Sequence, residues 1–403
     1  MVIAVCPAKV QVVPAQTPDL LVVGLGAVGC ATLMHAAGRG ARVLGIDRHL
    51  PPHHHGSTHG ESRITRLAVG EGADYVPLVR RSHQLWRELE DASGESLYHA
   101  CGGLLLANGD GDSPMHGQAS FFDQTVRIAR DHRIVHQCLD AREIATRWPQ
   151  FQLRGHERGY FEPEAGYLRP EACVSVQLAE AQRRGAQIRS GERLQRWRVD
   201  QRGLQVETDR ASYRPGAAVL AVGAWLPGLL GDCGAGTRVP PMKVTRQVLH
   251  WFAAEKPAEY AQEHFPIFIW CWGSAPGQVY YGFPDLGGGV KVATEHDAPC
   301  DPELIERRVN TAESAALHAV HVAGRLRGVS DRVLRTATCL YTELPGARFW
   351  IDRQESSGPI IASACSGHGF KHSAAIGEAL AEWGLAGSRP DLLAPFANGP
   401  RLG

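Results

Sequence analysis

The sequence predicts an α/β fold whose parallel sheet is assembled from separate stretches of chain. Three stretches point to it: Leu20–Val23, "AAVLAVGAW" at Ala217–Trp225, and Pro359–Ala364 within "PIIASACSGHGFKHSAAIGEALAEW". Each is a short continuous apolar run, as expected of a strand buried on both faces, and each soon meets glycine. They lie at both ends and in the middle of a 403-residue chain, so the domain they build is discontinuous. That length exceeds one ordinary core and predicts a second domain.

In the first stretch, Gly24, Gly26 and Gly29 follow the strand in G-x-G-x-x-G spacing. A helix-compatible stretch ends at Gly38 and Gly40, and a second strand, Ala41–Ile46, closes on Asp47. Gly24 permits a tight turn, Gly26 lets backbone approach a pyrophosphate, and Gly29 lets helix and strand pack closely. The helix N-terminus then offers free N–H groups and partial positive charge to phosphates. Asp47 stands where a carboxylate can accept ribose hydroxyls. The same turn without a ligand is the competing reading. Strand, helix, second strand and acid in order favour a dinucleotide, held by a Rossmann-like domain.

The middle stretch follows an expected β-hairpin, "RWRVDQRGLQVETD", turning at Gln201–Gly203. The last stretch is strand, glycine turn and helix. A fold that recruits its C-terminus in this way favours FAD, a long cofactor that stays bound, over a nicotinamide.

Composition narrows the function classes. Hydrophobic residues make up 44% and charged residues 21%, ordinary for a soluble globular protein. Lys+Arg and Asp+Glu balance at 42 each, so no basic field argues for nucleic acid. Ten cysteines without a Cys-x-x-Cys pair suggest a reduced, cytoplasmic protein and no structural zinc. No apolar run reaches the roughly 18–20 residues of a membrane span. Residues 1–18 read as an N-terminal extension, since one internal lysine and interrupting prolines do not make a signal peptide. "PPHHHG" at Pro51–Gly56 reads as a loop rather than a metal site, because consecutive side chains do not readily converge on one ion. No metal is expected.

"VVGLGAVG", "GSTHGESRITRLAVGEGADYVPLVRRSHQLWRELE", "YYGFP", "GGGVK", "TATCLYT" and "SGHGFKHS" occur in that order. Together they resemble the monomeric sarcosine oxidase and N-methyltryptophan oxidase family over nearly everything after the extension. The resemblance implies a glutathione-reductase-like FAD domain and a mixed-sheet substrate domain covering the flavin. The expected division assigns 19–94, 161–239 and 336–395 to the first, and 95–160 and 240–335 to the second. It also implies oxidation of a secondary amino acid at the C–H bond beside nitrogen, with oxygen reduced to hydrogen peroxide, by a monomer.

The same resemblance supplies residue roles. Cys339 of "TATCLYT" is implied as the covalent attachment point of FAD, although a cysteine in a strand is commonly a small buried hydrophobe. Lys291 is implied beside the flavin, where fixed positive charge in a dry site stabilises superoxide; an isolated lysine ordinarily reaches for solvent. Arg66 and Lys371 are implied to bind the substrate carboxylate, a task suited to guanidinium's paired donors. Arg63 and His368 are implied near the flavin, and Tyr281 and Tyr341 near the pocket. Arg48, Ser57, His59 and Phe370 join the implied cofactor contacts. Gly367 and Gly369 would let backbone approach the ring, with the following helix N-terminus stabilising negative charge on it. His372 is left to packing or surface.

The sequence departs from the family at Glu295, where the sarcosine-oxidising pattern has histidine. His296 lies one residue on, and in a regular strand that offset turns it to the opposite face. Either Glu295 faces the pocket or the strand has ended. Trp270 and Trp272 stand two apart and either shape the pocket or pack between domains. Two other readings remain: a flavin dehydrogenase with another electron acceptor, which leaves Lys291 without its oxygen role, and a non-enzymatic flavin binder, which leaves Arg66, Lys371 and Lys291 unexplained. A serine hydrolase is excluded by the lack of G-x-S-x-G after a strand.

Overall fold

The computed structural model describes residues 17–109, 115–232, 239–355 and 357–398. All of the expected N-terminal extension except its last two residues lies outside them.

The predicted parallel sheet is present. Its strand order is Trp350–Arg353, Ile360–Ser363, Ala217–Leu220, Leu20–Val23, Val43–Asp47 and Gln187–Ser190. All neighbours are parallel except the antiparallel pair at the Trp350–Arg353 edge. The second strand starts two residues later than expected and takes in Asp47 itself. Alternation decides where each side chain goes. Leu20 and Val22 enter a core with the helices Ala27–Gly38 and Ser373–Ala386. Leu21 and Val23 enter a core with the hairpin strands Leu194–Asp200 and Gly203–Thr208. The two helices meet through small residues: a Cβ on Gly377 would lie 2.3 Å from the Cβ of Ala31.

A second, eight-stranded mixed sheet runs Val329–Glu343, Lys243–Ala254, Val290–Ala293, Val279–Asp285, Ile267–Cys271, Gly103–Ala107, Arg158–Glu162 and Gln137–Asp140. Only the pair Ile267–Cys271 and Gly103–Ala107 is parallel. The expected domain boundary at 335/336 runs through the strand Val329–Glu343, which pairs on both sides of it with Lys243–Ala254. Within this sheet Leu249, Trp251, Ala293 and Cys339 pack as one cluster with Tyr281 and Tyr341. The cluster draws on four adjacent strands and forms the sheet face that meets the candidate site. Trp270 lies in a separate core with Phe151 and Tyr280, and Trp272 packs against that core, so both tryptophans serve packing. Among the described residues, no helix is long and apolar enough to cross a membrane.

Candidate active site

The glycine turn is built as its spacing predicts. Gly24 has φ +85°, and a Cβ there would lie 2.5 Å from the carbonyl oxygen of Ala221. A Cβ on Gly29 would lie 1.7 Å from the carbonyl oxygen of Gly24. Gly26 is less constrained, with Thr58 Oγ1 at 3.4 Å from its notional Cβ. The turn opens on a cavity of about 1100 Å³ lined by Gly24, Gly26, Asp47, Arg48, Ser57 and Arg63, and from the far end by Tyr341, Gly367, Gly369 and Phe370.

Asp47 is partly occupied by the protein itself. It accepts hydrogen bonds from Leu25 N at 2.7 Å and His49 N at 2.8 Å, and His53 Nε2 stands 3.5 Å away. Burial would raise its pKa, but these contacts outweigh burial and hold it below the ordinary carboxylate value. Arg48 is bound to Glu303 at 2.7 Å and lies over the Trp225 ring.

The cavity suits a long polar ligand such as FAD. Its walls carry the bare turn at Gly24 and Gly26 and the N-terminus of the helix Ala27–Gly38. Thr342 Oγ1 and Ser373 Oγ are buried on its lining residues without a partner among the described residues. Buried hydroxyls are rarely left in that state, and a bound polar group would satisfy them.

A smaller cavity of about 70 Å³ adjoins it and shares Tyr341, Gly367 and Phe370 with it. Six side chains expected at the site from the sequence meet around it: Arg66, Lys371, Tyr281, Tyr341, Glu295 and His368. Arg63 and Arg66 therefore part company. Arg63 lies in the strand Arg63–Thr65, donates to the carbonyl oxygens of Ser57 and Ser62 at 2.9 Å, and lines the large cavity. Arg66 follows the strand and lines the small one. The Tyr281 and Tyr341 hydroxyls lie 3.2 Å apart, and burial pushes both phenol pKa values up.

Two residues at the centre of the small cavity, Glu71 and His116, carry no recognisable sequence signal. Arg66 donates to Glu71 Oε2 at 3.1 Å and to the carbonyl of Ala68. Glu71 Oε1 lies 2.9 Å from His116 Nδ1, and His116 Nε2 lies 2.5 Å from Glu295 Oε1. Burial would raise the Glu71 pKa, but the Arg66 and Lys371 charges and the hydrogen bond from His116 hold it well below the usual value. Burial lowers Lys371 to about 8 and His368 to about 3, so His368 is a neutral ring at pH 7. Lys371 Nζ donates to the carbonyl of His368 at 2.8 Å. Both alternatives for Glu295 hold: its strand ends at Ala293, and its carboxylate faces the cavity. The His296 backbone is bonded to Gln247, apart from the cavity lining.

Three expected site residues lie behind the cavity walls. Cys339 is 1% exposed; burial raises its thiol pKa, opposed by Arg63 and Lys291. Lys291, also 1% exposed, donates to the carbonyl oxygens of Gly60 and Ser62 and to Ser62 Oγ at 2.7, 2.8 and 3.0 Å. His59 is buried, its Nε2 without a partner among the described residues; burial and Arg63 lower its pKa to about 3.

Gly369 lines the large cavity with its backbone, and its notional Cβ points at the carbonyl oxygen of Ala364, 1.8 Å away, so closing the turn also requires glycine here. At Gly367, with φ +78°, the notional Cβ points into the small cavity, 3.0 Å from His116 Nε2 and 3.3 Å from Glu295 Oε1. His372 is fully buried against Tyr75 and Phe349 and serves packing.

A family model described as FAD dependent oxidoreductase matches residues 19–383. The chain is 36% identical over 381 residues to a monomeric sarcosine oxidase of Streptomyces avermitilis, covering 93% of this chain and 95% of that one. It is 30% identical over 384 residues to an N-methyl-L-tryptophan oxidase of Salmonella dublin, covering 94% and 97%. The solved structure of NikD, described as an unusual amino acid oxidase essential for nikkomycin biosynthesis, matches with a TM-score of 0.83 at 24% identity, covering 96% of this chain and 99% of that one. That last likeness speaks for the fold.

Proposed function

From a chain that belongs to the FAD-dependent oxidoreductase family, with monomeric sarcosine oxidases among its relatives, we propose oxidation of a secondary amino acid to an imine, with oxygen reduced to hydrogen peroxide. The observation that carries this reading is the small cavity, where Arg66 and Lys371 converge beside the residues it shares with the large one. When bound, FAD supplies the chemistry: it takes a hydride equivalent from the C–H bond beside nitrogen and passes the electrons to oxygen.

The chain's own residues position the reactant. Arg66 and Lys371 hold the substrate carboxylate. Guanidinium has five N–H donors and only some are engaged by Glu71 and Ala68; Lys371 has donors beyond the one given to His368. Tyr281, Tyr341 and the uncharged His368 ring wall the cavity without acting as strong bases. Arg63 stands at the wall of the large cavity as a fixed cation. Lys371→Met is expected to raise KM for the amino acid about 10–150-fold, the worth of one charge-assisted hydrogen bond, with a smaller change in kcat. Because Lys371 is charged below its lowered pKa of about 8, substrate affinity should fall as pH rises through that value.

Attachment of FAD through Cys339, which lies just behind the cavity lining, is supported by its strand neighbour. Cys339 and Tyr341 lie two apart on one strand, hence on one face, and Tyr341 reaches both cavities. After acid denaturation, the yellow colour is expected to stay with precipitated wild-type protein and to move to the supernatant in Cys339→Ser. Free flavin from the wild type would rule attachment out.

The direct test of the reaction is peroxide release in air from purified protein offered sarcosine, N-methyltryptophan, proline, pipecolate and the matching primary amino acids. Peroxide from one or more secondary amines is the expected result. Flavin bleached by a secondary amine without peroxide would instead indicate a dehydrogenase with another electron acceptor.

A further inference from the structure

His116 lies in the turn closed by the bridge pair Met115–Gln118, and Glu295 follows the strand Val290–Ala293. The imidazole meets a carboxylate at each nitrogen, Glu71 at 2.9 Å and Glu295 at 2.5 Å. A neutral imidazole has one N–H and one lone pair, so one contact would then oppose a lone pair to a carboxylate. Only an imidazolium donates to both. His116 also holds φ +50°, a left-handed backbone that residues with a Cβ seldom keep without a compensating contact.

We propose that His116 is a positioning residue that neutralises Glu295, so that the small cavity takes its substrate as a monocarboxylate with a neutral secondary amine. The inference rests on the amine-oxidation reading above. A bare carboxylate beside the amine would favour the ammonium form, which has no lone pair at nitrogen to assist loss of hydride from the neighbouring carbon. The fixed charges fit the proposal: Arg66 is paired with Glu71 and His116 with Glu295, which leaves Lys371 to match one substrate carboxylate. Among the described residues, the other titratable groups facing this pair are His368, Tyr281, Tyr341 and, from the strand Val329–Glu343, Glu343. Burial opposes the imidazolium, but the two carboxylates outweigh it and raise the His116 pKa to about 10.

The test is anaerobic flavin reduction as a function of pH, in holoenzyme, with sarcosine, N-methyltryptophan and proline as reductants. In His116→Gln, the acidic limb of the reduction rate should move up by about one to three pH units, the usual effect of an unpaired opposite charge at this range. In the double variant His116→Gln/Glu295→Gln, a neutral pair replaces a neutral pair, and the limb should return to within one unit of wild type. An unmoved limb in His116→Gln, or a displaced limb in the double variant, overturns the proposal. If the single variant does not fold, the double variant alone still decides, since a displacement above one unit refutes it. Absence of reduction in wild type by all three amines would overturn the amine-oxidation reading itself, which separates the two failures.

Discussion

Replacing Lys291 with methionine is expected to slow flavin reoxidation by oxygen about 10²-fold or more, while flavin reduction by substrate changes far less. The ammonium is buried, with the Phe283 ring centroid at 4.3 Å and the Trp251 ring centroid at 5.4 Å. Charge in so dry a setting acts on a developing anion far more strongly than charge in water. Three oxygen acceptors at 2.7–3.0 Å match the three N–H donors of an ammonium. Burial and the Arg63 charge nevertheless push its pKa well below the ordinary lysine value. The charged form is the acid form, so reoxidation should fall as pH rises through that lowered pKa. The same contacts pin the loop Gly60–Ser62 from one side, while Glu171 accepts from Gly60 N at 2.6 Å on the other. Methionine would remove one donor from each of those oxygens; the Gly60 and Ser62 carbonyls keep Ser62 N and Arg63, and Ser62 Oγ loses its lysine partner, at about 1–3 kcal/mol if it stays dry. A fall in melting temperature should accompany the kinetic change. Stopped-flow measurement of both half-reactions is decisive: equal losses in the two would contradict an oxygen-directed role and leave the loop contact as the whole effect.

Gly29→Ala should yield protein that is insoluble or colourless. The added Cβ would lie 1.7 Å from the carbonyl oxygen of Gly24, 2.9 Å from its carbonyl carbon and 3.4 Å from Val22 Cγ1. No flexible side chain stands at the closest contacts to give way. Gly24 cannot retreat, because Ala221 walls it on the other side. Overpacking typically costs about 1–3 kcal/mol, and a backbone obstacle belongs at or above the top of that range. Gly26→Ala is the matched control. Its Cβ meets only Thr58 Oγ1, at 3.4 Å, so the variant should fold and lose flavin affinity, since the methyl stands at a cavity-lining position. Thermal melting and the flavin-to-protein absorbance ratio of both variants check this. A Gly29→Ala protein with wild-type stability and colour would show that the turn has slack the structure does not display.

The parts legible in the sequence were those carried by contiguous residues. The apolar run Leu20–Val23, the glycine spacing after it and the hairpin around Gln201–Gly203 each encode local geometry, and each appears in the structure. Gly369 lines the large cavity as expected, while the spacing did not show that its missing Cβ also lets the turn close on Ala364. The sequence also brought forward Arg66, Lys371, Glu295 and both tyrosines, through short motifs around them.

Glu71 and His116 were not legible. They stand 45 residues apart in the chain, and His116 stands 179 residues from Glu295. A lone acid between glycines and a lone histidine in a loop carry no periodicity to read. What the sequence determined by itself was the glycine turn and the discontinuous α/β sheet, since these follow from neighbouring residues and their backbone preferences; the site cations came through the family resemblance. Tertiary structure alone decided which charges face one another. It separated Arg63 from Arg66, turned Lys291 toward the loop Gly60–Ser62, and set the His116 ring between two carboxyl groups. Electrostatic pairing depends on distance in space, and at these separations along the chain only the folded packing sets that distance.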